Sequence, residues 1–420
     1  MKTTMTVRMA VAGLLGGLAL GAWADSPIVS DVVVRQRWPW SRHVDIDYVL
    51  SCDFTQRCDV AVAAYSGETR LSLPDRSLTG ERCDVSDGTH RIVWNPMVTD
   101  CTNGAAMKDL RVTLTATPVP LYMIVDLTKV AGTTGQITYV YEADLASGAY
   151  GAVQTNPVTG VASIIWTGVT NNSAYATTKL VLRRVPAGAF SMGGSKSVTL
   201  TQGFYIGVFE VTEAQWNAVM GGATTSSKPK GLVSYNTVRG ATNDVPAIMW
   251  PETGYAAGAT NFIGRLRSAT GFAMADLPTE AQWEYACRAG TTSLYYDGVS
   301  SVATDGASKT NILSTLAWWL YNGGGATHTV GGKLPNAWGL YDTLGNVEEW
   351  VLDWYAASLT GFTSVDPVGP STSASTTIRA GRGGTYAHTI DWETCLARDN
   401  NRLPSWSGLF MGFRLVVPLK

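Results

Sequence analysis

Between Ile28 and Thr117, apolar and polar residues alternate in short runs: DVVVRQRW from Asp31, HVDIDYVL from His43, DVAVAAY from Asp59, HRIVW from His90 and LRVTLTAT from Leu110. Successive side chains of an extended strand point to opposite faces, so period-two runs parted by Gly, Pro, Asp and Ser clusters predict half-buried antiparallel strands. Strands at this spacing predict a β-sandwich of immunoglobulin-like or fibronectin-like type over residues 25–120, with Pro118 and Pro120 marking its exit. From Leu121 to Thr178 the strand-like pieces MIVDL, ITYVYEA and ASIIWTGV stand among Gly, Asn, Thr and Ser. We read 121–179 as a β-rich connector packed on the domain C-terminal to it.

The pattern changes near Leu180, where LVLRRVPAGAFSMGG opens a third region, 180–420. Helix starts are explicit here. Thr212-Glu213-Ala214-Gln215 and Thr279-Glu280-Ala281-Gln282 both fit the capping box, in which Thr hydroxyl and Gln side chain satisfy each other's exposed backbone N–H groups. Apolar residues then fall at helical spacing: Trp216, Val219 and Met220 after the first box, Trp283, Ala286 and Cys287 after the second. One buried face is expected for each helix. A third helix is expected around Tyr255 to Arg267, burying Phe262, Ile263 and Leu266. Gly-rich and Trp-rich loops fill most of the remainder.

Lys2 and Arg8 precede an apolar stretch from Met9 to Trp23, and Ala22-Trp23-Ala24 has small residues where signal peptidase requires them. The stretch is short of the ~20 residues of a bilayer span. We expect a signal peptide over 1–24, no membrane span after its removal, and a secreted or periplasmic, bacterial protein. Net charge −2 and pI about 6.1 leave no basic field for phosphate backbones, so nucleic-acid binding is not expected. In an exported chain, six cysteines favour disulfides over metal sites. Cys52, Cys58, Cys83 and Cys101 allow three pairings, among which the local scheme joins Cys52 to Cys58 and Cys83 to Cys101.

Five ordered blocks carry a further signal: GVFEVTEAQW (Gly207–Trp216), LPTEAQWEYACRAGT (Leu277–Thr291), NAWGLYDTLGNVEEWVLDWY (Asn336–Tyr355), GRGGTY (Gly381–Tyr386) and GFRLV (Gly412–Val416). Together they resemble the formylglycine-generating enzyme, or sulfatase-modifying factor, family over residues 180–419. The resemblance implies a mixed α+β domain, a C-type-lectin-like variant poor in regular secondary structure. It also implies oxidation of a substrate cysteine to formylglycine, using oxygen and a copper(I) ion held by two thiolates, soft ligands that suit that ion. Counting from Gly383-Gly384-Thr385-Tyr386, the first thiolate position is His388 and the second is Glu393, or Trp392 or Asp391 if this loop is shorter. None is a thiol. Copper is therefore not expected, whereas Cys287 and Cys395 match positions that form a structural disulfide in the animal enzymes.

The same resemblance carries a calcium site onto Asp342, Gly345, Val347 and Glu349, with carbonyls supplied by Gly345 and Val347. Two departures stand out: Glu348 where the family has Trp, and Asp276 where it has Arg, which cannot preserve that guanidinium's hydrogen bonds. Arg382, Tyr386, His388 and Trp392 flank the family's substrate cleft and are the candidate binding residues. Trp250, Trp318, Trp319, Trp338, Trp350, Trp354 and Trp406 could extend an aromatic groove but fit an irregular core equally well. The expected function is a binding or scaffold module without formylglycine-generating activity, its partner a peptide, protein or glycan at a cell surface. The alternative is an oxygen-dependent oxidoreductase acting on protein cysteine through a non-cysteine metal site near His388, the sole candidate catalytic residue.

Overall fold

A computed structural model describes residues 26–37, 41–52, 57–98, 109–155, 164–240, 257–298, 306–370 and 378–419. The chain divides into two units, one comprising Met1–Val119 and Tyr141–Ser147, the other Pro120–Val140 and Gly148–Lys420.

In the first unit the alternating runs become β1 (Ile28–Gln36), β2 (Val44–Ser51), β3 (Cys58–Ser66), β6 (Gly88–Trp94) and β7 (Leu110–Pro118), joined by short β4 (Thr69–Arg70) and β5 (Leu78–Gly80). They form a four-stranded sheet, β1-β2-β6-β5, and a three-stranded sheet, β4-β3-β7, every pair antiparallel. The period of two decides the core. Val44, Ile46, Tyr48 and Leu50 of β2 meet Ile92 and Trp94 of β6 and Val60 and Ala64 of β3 in one cluster. Burying a side chain such as Ile46 contributes about 2–3 kcal/mol; truncating Trp94 to Ala would cost about 3–5 kcal/mol. Asp31, at φ 49, sits where the β1–β2 register shifts between Ser30 and Val33. Cys58 is buried and Cys83 exposed, while Cys101 lies outside the described residues, as does that half of the local pairing scheme.

The stretch read as a connector is largely built into the second unit. Its strand β8 (Tyr122–Asp126) pairs on one side with β9 (Ile137–Val140) and on the other with β12 (Lys179–Val185). ITYVYEA is not one strand: it ends at Val140, and Glu142–Ala146 is helix α1, because the Asp144 carboxylate accepts the Tyr141 N–H at 2.8 Å and starts a turn. A hairpin of β10 (Val153–Thr155) and β11 (Ile164–Trp166) precedes β12, and the hairpin β13 (Gly188–Met192) with β14 (Lys196–Leu200) leads from β12 to β15 (Phe204–Gly207). Helices α2 (Glu213–Met220), α3 (Tyr235–Val238), α4 (Phe262–Thr270), α5 (Glu280–Arg288) and α6 (Gly306–Leu316) come next. The chain closes with β16 (Glu348–Trp354), β17 (Arg379–Arg382), β18 (Arg398–Arg402), β19 (Met411–Gly412) and β20 (Val416–Pro418). One sheet runs β20-β15-β12-β8-β9 and another β18-β17-β16-β19, so the last strand completes a sheet begun about 300 residues earlier.

Both capping boxes form: Thr212 and Thr279 each accept the N–H three residues on at 3.1 Å, and Gln215 and Gln282 reach back. The third helix starts at Phe262, after Asn261, and runs to Thr270, where Gly271 at φ 77 ends it. Tyr255 lies outside the described residues, whereas Phe262, Ile263 and Leu266 are buried as expected. The expectation of one buried face fails for α5, all nine of whose residues are buried. Its polar side chains are enclosed because ion pairs receive them.

Candidate functional site

Helix α5 is the post around which the site is built. Glu284 pairs with Arg288 one turn on at 2.9 Å and with Arg382 of β17, and accepts the Gly193 N–H at 2.8 Å. Glu280 pairs with Arg398 of β18, whose Nη2 donates at 2.8 Å. The helix start favours Glu280, and the arginines offset the cost of burying both carboxylates. Arg382 also donates from Nη1 to the Ala397 carbonyl at 2.7 Å. Its guanidinium, a candidate ligand contact in the sequence, is therefore engaged inside the fold.

A second buried pair lies beside it. Arg414 clasps Glu349 with Nε at 2.7 and 2.9 Å and Nη2 at 2.6 Å, and the Trp283 indole donates to the same carboxylate at 2.8 Å. Glu210 accepts the Asn346 amide at 2.8 Å and the Val347 N–H at 3.0 Å; burial, and then the charges of Asp342 and Glu349, push its carboxyl well above the usual range. Asp342, at φ 52, takes the Gly331 N–H on Oδ2 at 2.6 Å, while Oδ1 is buried without a hydrogen-bond partner among the described residues; burial raises its pKa to about 6. As a calcium set, Asp342, Gly345, Val347 and Glu349 fit in part only: Asp342 offers one unmatched oxygen, but both Glu349 oxygens are taken. Among the described residues no group of three or more His, Cys, Asp and Glu could hold a metal ion, at this turn or near His388.

The GRGGTY loop runs between two further carboxyl groups. Glu348 lies against Gly381, where any Cβ would collide with its Oε1. Glu393 lies against Gly384, at φ 76, where a Cβ would come within 2.5 Å of Oε1. Glu393 accepts the Thr385 N–H at 2.9 Å and, fully buried, has no hydrogen-bond partner for Oε2 among the described residues. Burial and, after it, nearby Glu348 push its carboxyl well above the usual range. Glu348, Arg382, His388, Trp392, Ala397 and the loop glycines line a pocket of about 10 Å³. The rings of His388 and Trp392 stand 5.7 Å apart. Tyr386 is buried at 8 %, whereas Trp392 is 41 % exposed and reaches solvent.

Of the other aromatic candidates, Trp319 and Trp350 are core, Trp318 is stacked on His328 at 3.7 Å, Trp338 packs on Tyr285, and Trp250 lies outside the described residues. Trp354 lies under the Arg379 guanidinium at 3.5 Å, and Arg402 covers Trp406 at 4.4 Å. Asp276, the departure from Arg, is buried and held by Arg239 at 3.0 Å and Arg267 at 3.0 Å. Cys287 and Cys395 are fully buried thiols with sulfurs 3.3 Å apart, at contact rather than the roughly 2.05 Å of a bond. Sequence reasoning did not find Arg398, Arg402 or Phe410 as neighbours of the cleft: they lie beyond the motif blocks, and only the sheet brings them back.

These features define a mostly β domain with few helices, held by buried ion pairs around one fully enclosed helix. The chain belongs to the Sulfatase-modifying factor enzyme 1-like domain family, which matches residues 169–419. Formylglycine-generating enzymes are similar to it: that of Streptomyces coelicolor is 34 % identical over 146 residues, covering 33 % of this chain and 45 % of the enzyme, and that of Mus musculus is 31 % identical over 144 residues, covering 33 % and 38 %. The match thus spans less than half the length of these relatives. Chaperone protein LppX of Paenibacillus barcinonensis is 27 % identical, covering 47 % of this chain and 79 % of that protein. Among solved structures, Treponema denticola variable protein 1 is 27 % identical with a TM-score of 0.43, covering 57 % of this chain and 95 % of its own.

Proposed function

We propose that the C-terminal domain is a binding module of an exported protein, with the family's frame retained and its copper-dependent cysteine oxidation absent. One observation carries this reading: the loop after GRGGTY presents His388, Trp392 and Glu393 where a thiolate pair would be needed, and Cys395, the one cysteine beyond it, is buried against Cys287. Thiolates hold Cu(I); a lone imidazole beside carboxylates is a poor substitute. The cleft around Trp392 would receive a peptide, protein or glycan partner. The test is incubation of the mature chain with copper and a cysteine-containing peptide, read by mass spectrometry. No formylglycine is expected, and its appearance would overturn the reading.

Three finer expectations belong to the same proposal. Cys287 and Cys395 would join as a disulfide in an oxidising compartment, each thiol giving up a proton and an electron to the cell's thiol oxidants. Calcium would bind at Asp342 Oδ1 only if Glu349 yields an oxygen now held by Arg414. The strand order β1-β2-β6-β5 over β4-β3-β7 supports an immunoglobulin-like sandwich, since it matches the A-B-E-D and C′-C-F arrangement of that topology. The C-type-lectin-like character of the second domain is supported by its sparse helices and short strands.

A further inference from the structure

We propose that Cys58 and Cys83 form a disulfide that staples the N-terminal unit, in place of the local pairing of Cys83 with Cys101. The bond is independent of what the C-terminal domain binds. Its basis is a tetrapeptide that the chain carries twice, Arg-Cys-Asp-Val at 57–60 and again at 82–85. The fold lays the two copies side by side and antiparallel. Cys58 donates its N–H to the Val85 carbonyl at 2.9 Å and accepts the Val85 N–H at 2.8 Å, the Val60 N–H donates to the Arg82 carbonyl at 2.7 Å, and the Asp84 N–H donates to Asp59 Oδ1 at 2.9 Å. In a regular ladder Cys83 would lie one diagonal step from Cys58, about 7–8 Å away. Here residues 82–85 face residues 58–60, and Asp84 at φ 58 takes up the extra position. Such a bulge draws Cys83 back toward the roughly 4.4–6.8 Å between Cα atoms that a disulfide spans. The Tyr48 hydroxyl donates to the Glu81 carbonyl at 2.6 Å, and burial, then Glu81, then the Cys58 and Cys83 thiols push its pKa up, so both sulfurs lie close to one group.

The competing partners are anchored elsewhere. Strand β6 runs from Gly88, beside Leu50, to Trp94, beside Val44, and β7 runs from Leu110, beside Ser66, to Pro118, beside Cys58. The segment bearing Cys101 is therefore anchored at the end of the unit opposite Cys58. Cys52 follows β2, a strand of the facing sheet, and its backbone is tied to Asp87 Oδ1 at 3.1 Å rather than to residues 57–60. Because Cys83 is exposed and Cys58 buried, a disulfide oxidant meets Cys83 first. The Cys83 thiolate attacks one sulfur of glutathione disulfide, giving a mixed disulfide and expelling a glutathione thiolate. Cys58, losing its proton, then attacks the Cys83 sulfur and expels the second glutathione. Two protein thiols are oxidised and one glutathione disulfide is reduced to two glutathiones.

The test does not depend on export: the reduced, folded full chain is equilibrated with glutathione disulfide, alkylated, digested with trypsin without reduction and read by mass spectrometry. Cleavage after Arg42, Arg57, Arg82 and Arg91 places Cys52, Cys58, Cys83 and Cys101 on separate peptides. A species joining peptides 58–70 and 83–91 is expected. Either cysteine joined instead to the peptide of Cys52 or Cys101, or both thiols fully alkylated, would overturn the proposal. Cys83→Ser should also lower the thermal midpoint of the N-terminal unit, on the order of 10 °C in oxidising buffer and not at all once both chains are reduced, since closing a loop of about 25 residues acts on the unfolded chain. An equal loss in both buffers would assign Cys83 a packing role and remove the staple.

Discussion

In the N-terminal unit seven strands meet their neighbours along regular ladders, and the ion pairs lie outside: Arg35 and Arg91 reach Asp47 with side chains 59 % and 51 % exposed. In the C-terminal unit the pairs Arg382–Glu284 and Arg414–Glu349 are wholly buried. The difference comes from the backbone. A sheet satisfies its own N–H and C=O groups, whereas long loops folded into an interior leave carbonyls that need donors. Arginine supplies them: Arg414 donates to Gly207, Tyr341 and Asp342 carbonyls, Arg382 to Ala397, and Arg379 to Leu352. Arg414 thereby ties three segments at once and Glu349 neutralises it, as Glu284 does Arg382.

This contrast can be broken at its strongest point by Arg414→Met, which strands Glu349 in the interior. It should cost about 3–5 kcal/mol in urea unfolding of the full chain. Adding Glu349→Leu should recover part of the loss but not all, because three carbonyls remain untied. A cost no larger than that of a surface pair would remove the distinction between the units.

Asp353 tests the same burial by pH. Burial, and then Glu280, raise its pKa to about 8, while Oδ2 accepts the Glu280 N–H at 2.7 Å. The folded state thus holds a proton that the unfolded chain, with an ordinary value near 3.8, has released. Folding is therefore penalised progressively as pH rises from about 4 to about 8, and unpenalised below. Asp353→Asn should abolish that slope, gaining on the order of 2–4 kcal/mol at pH 8 and nothing at pH 4 in denaturant titrations. A parallel pH profile for variant and parent would show that Asp353 is not the titrating group.

A smaller loss, about 1–3 kcal/mol, is expected for Gly384→Ala, from left-handed backbone strain and displacement of Glu393. The thermal midpoint of the C-terminal unit's transition should fall while that of the N-terminal unit stays. Smallest of all, Arg35→Ala should change stability by less than about 1 kcal/mol and by nothing measurable in high salt.

The legibility of the sequence divides along the same line. Period-two runs marked five strands of the N-terminal unit, but the edge strands Thr69–Arg70 and Leu78–Gly80 are too short to carry a period. Both capping boxes were readable because their bonds join residues three apart. The burial of Glu280, Glu284 and Arg288 was not: helical periodicity marks them as a solvent face, and the arginines that enclose Glu280 and Glu284 lie about 100 residues away. His388, Trp392 and Glu393 were placed at the cleft by counting from a motif. Arg382 was placed there too; it lines the same pocket, with its guanidinium paired to Glu284 behind it.

The complete enclosure of α5 has one more consequence. Since its cations and anions neutralise one another within the interior, the post does not rest on exposed apolar positions of the same domain such as Leu403 and Leu409. The domain is a chassis whose outer face can be rewritten residue by residue while the post at its centre stays untouched.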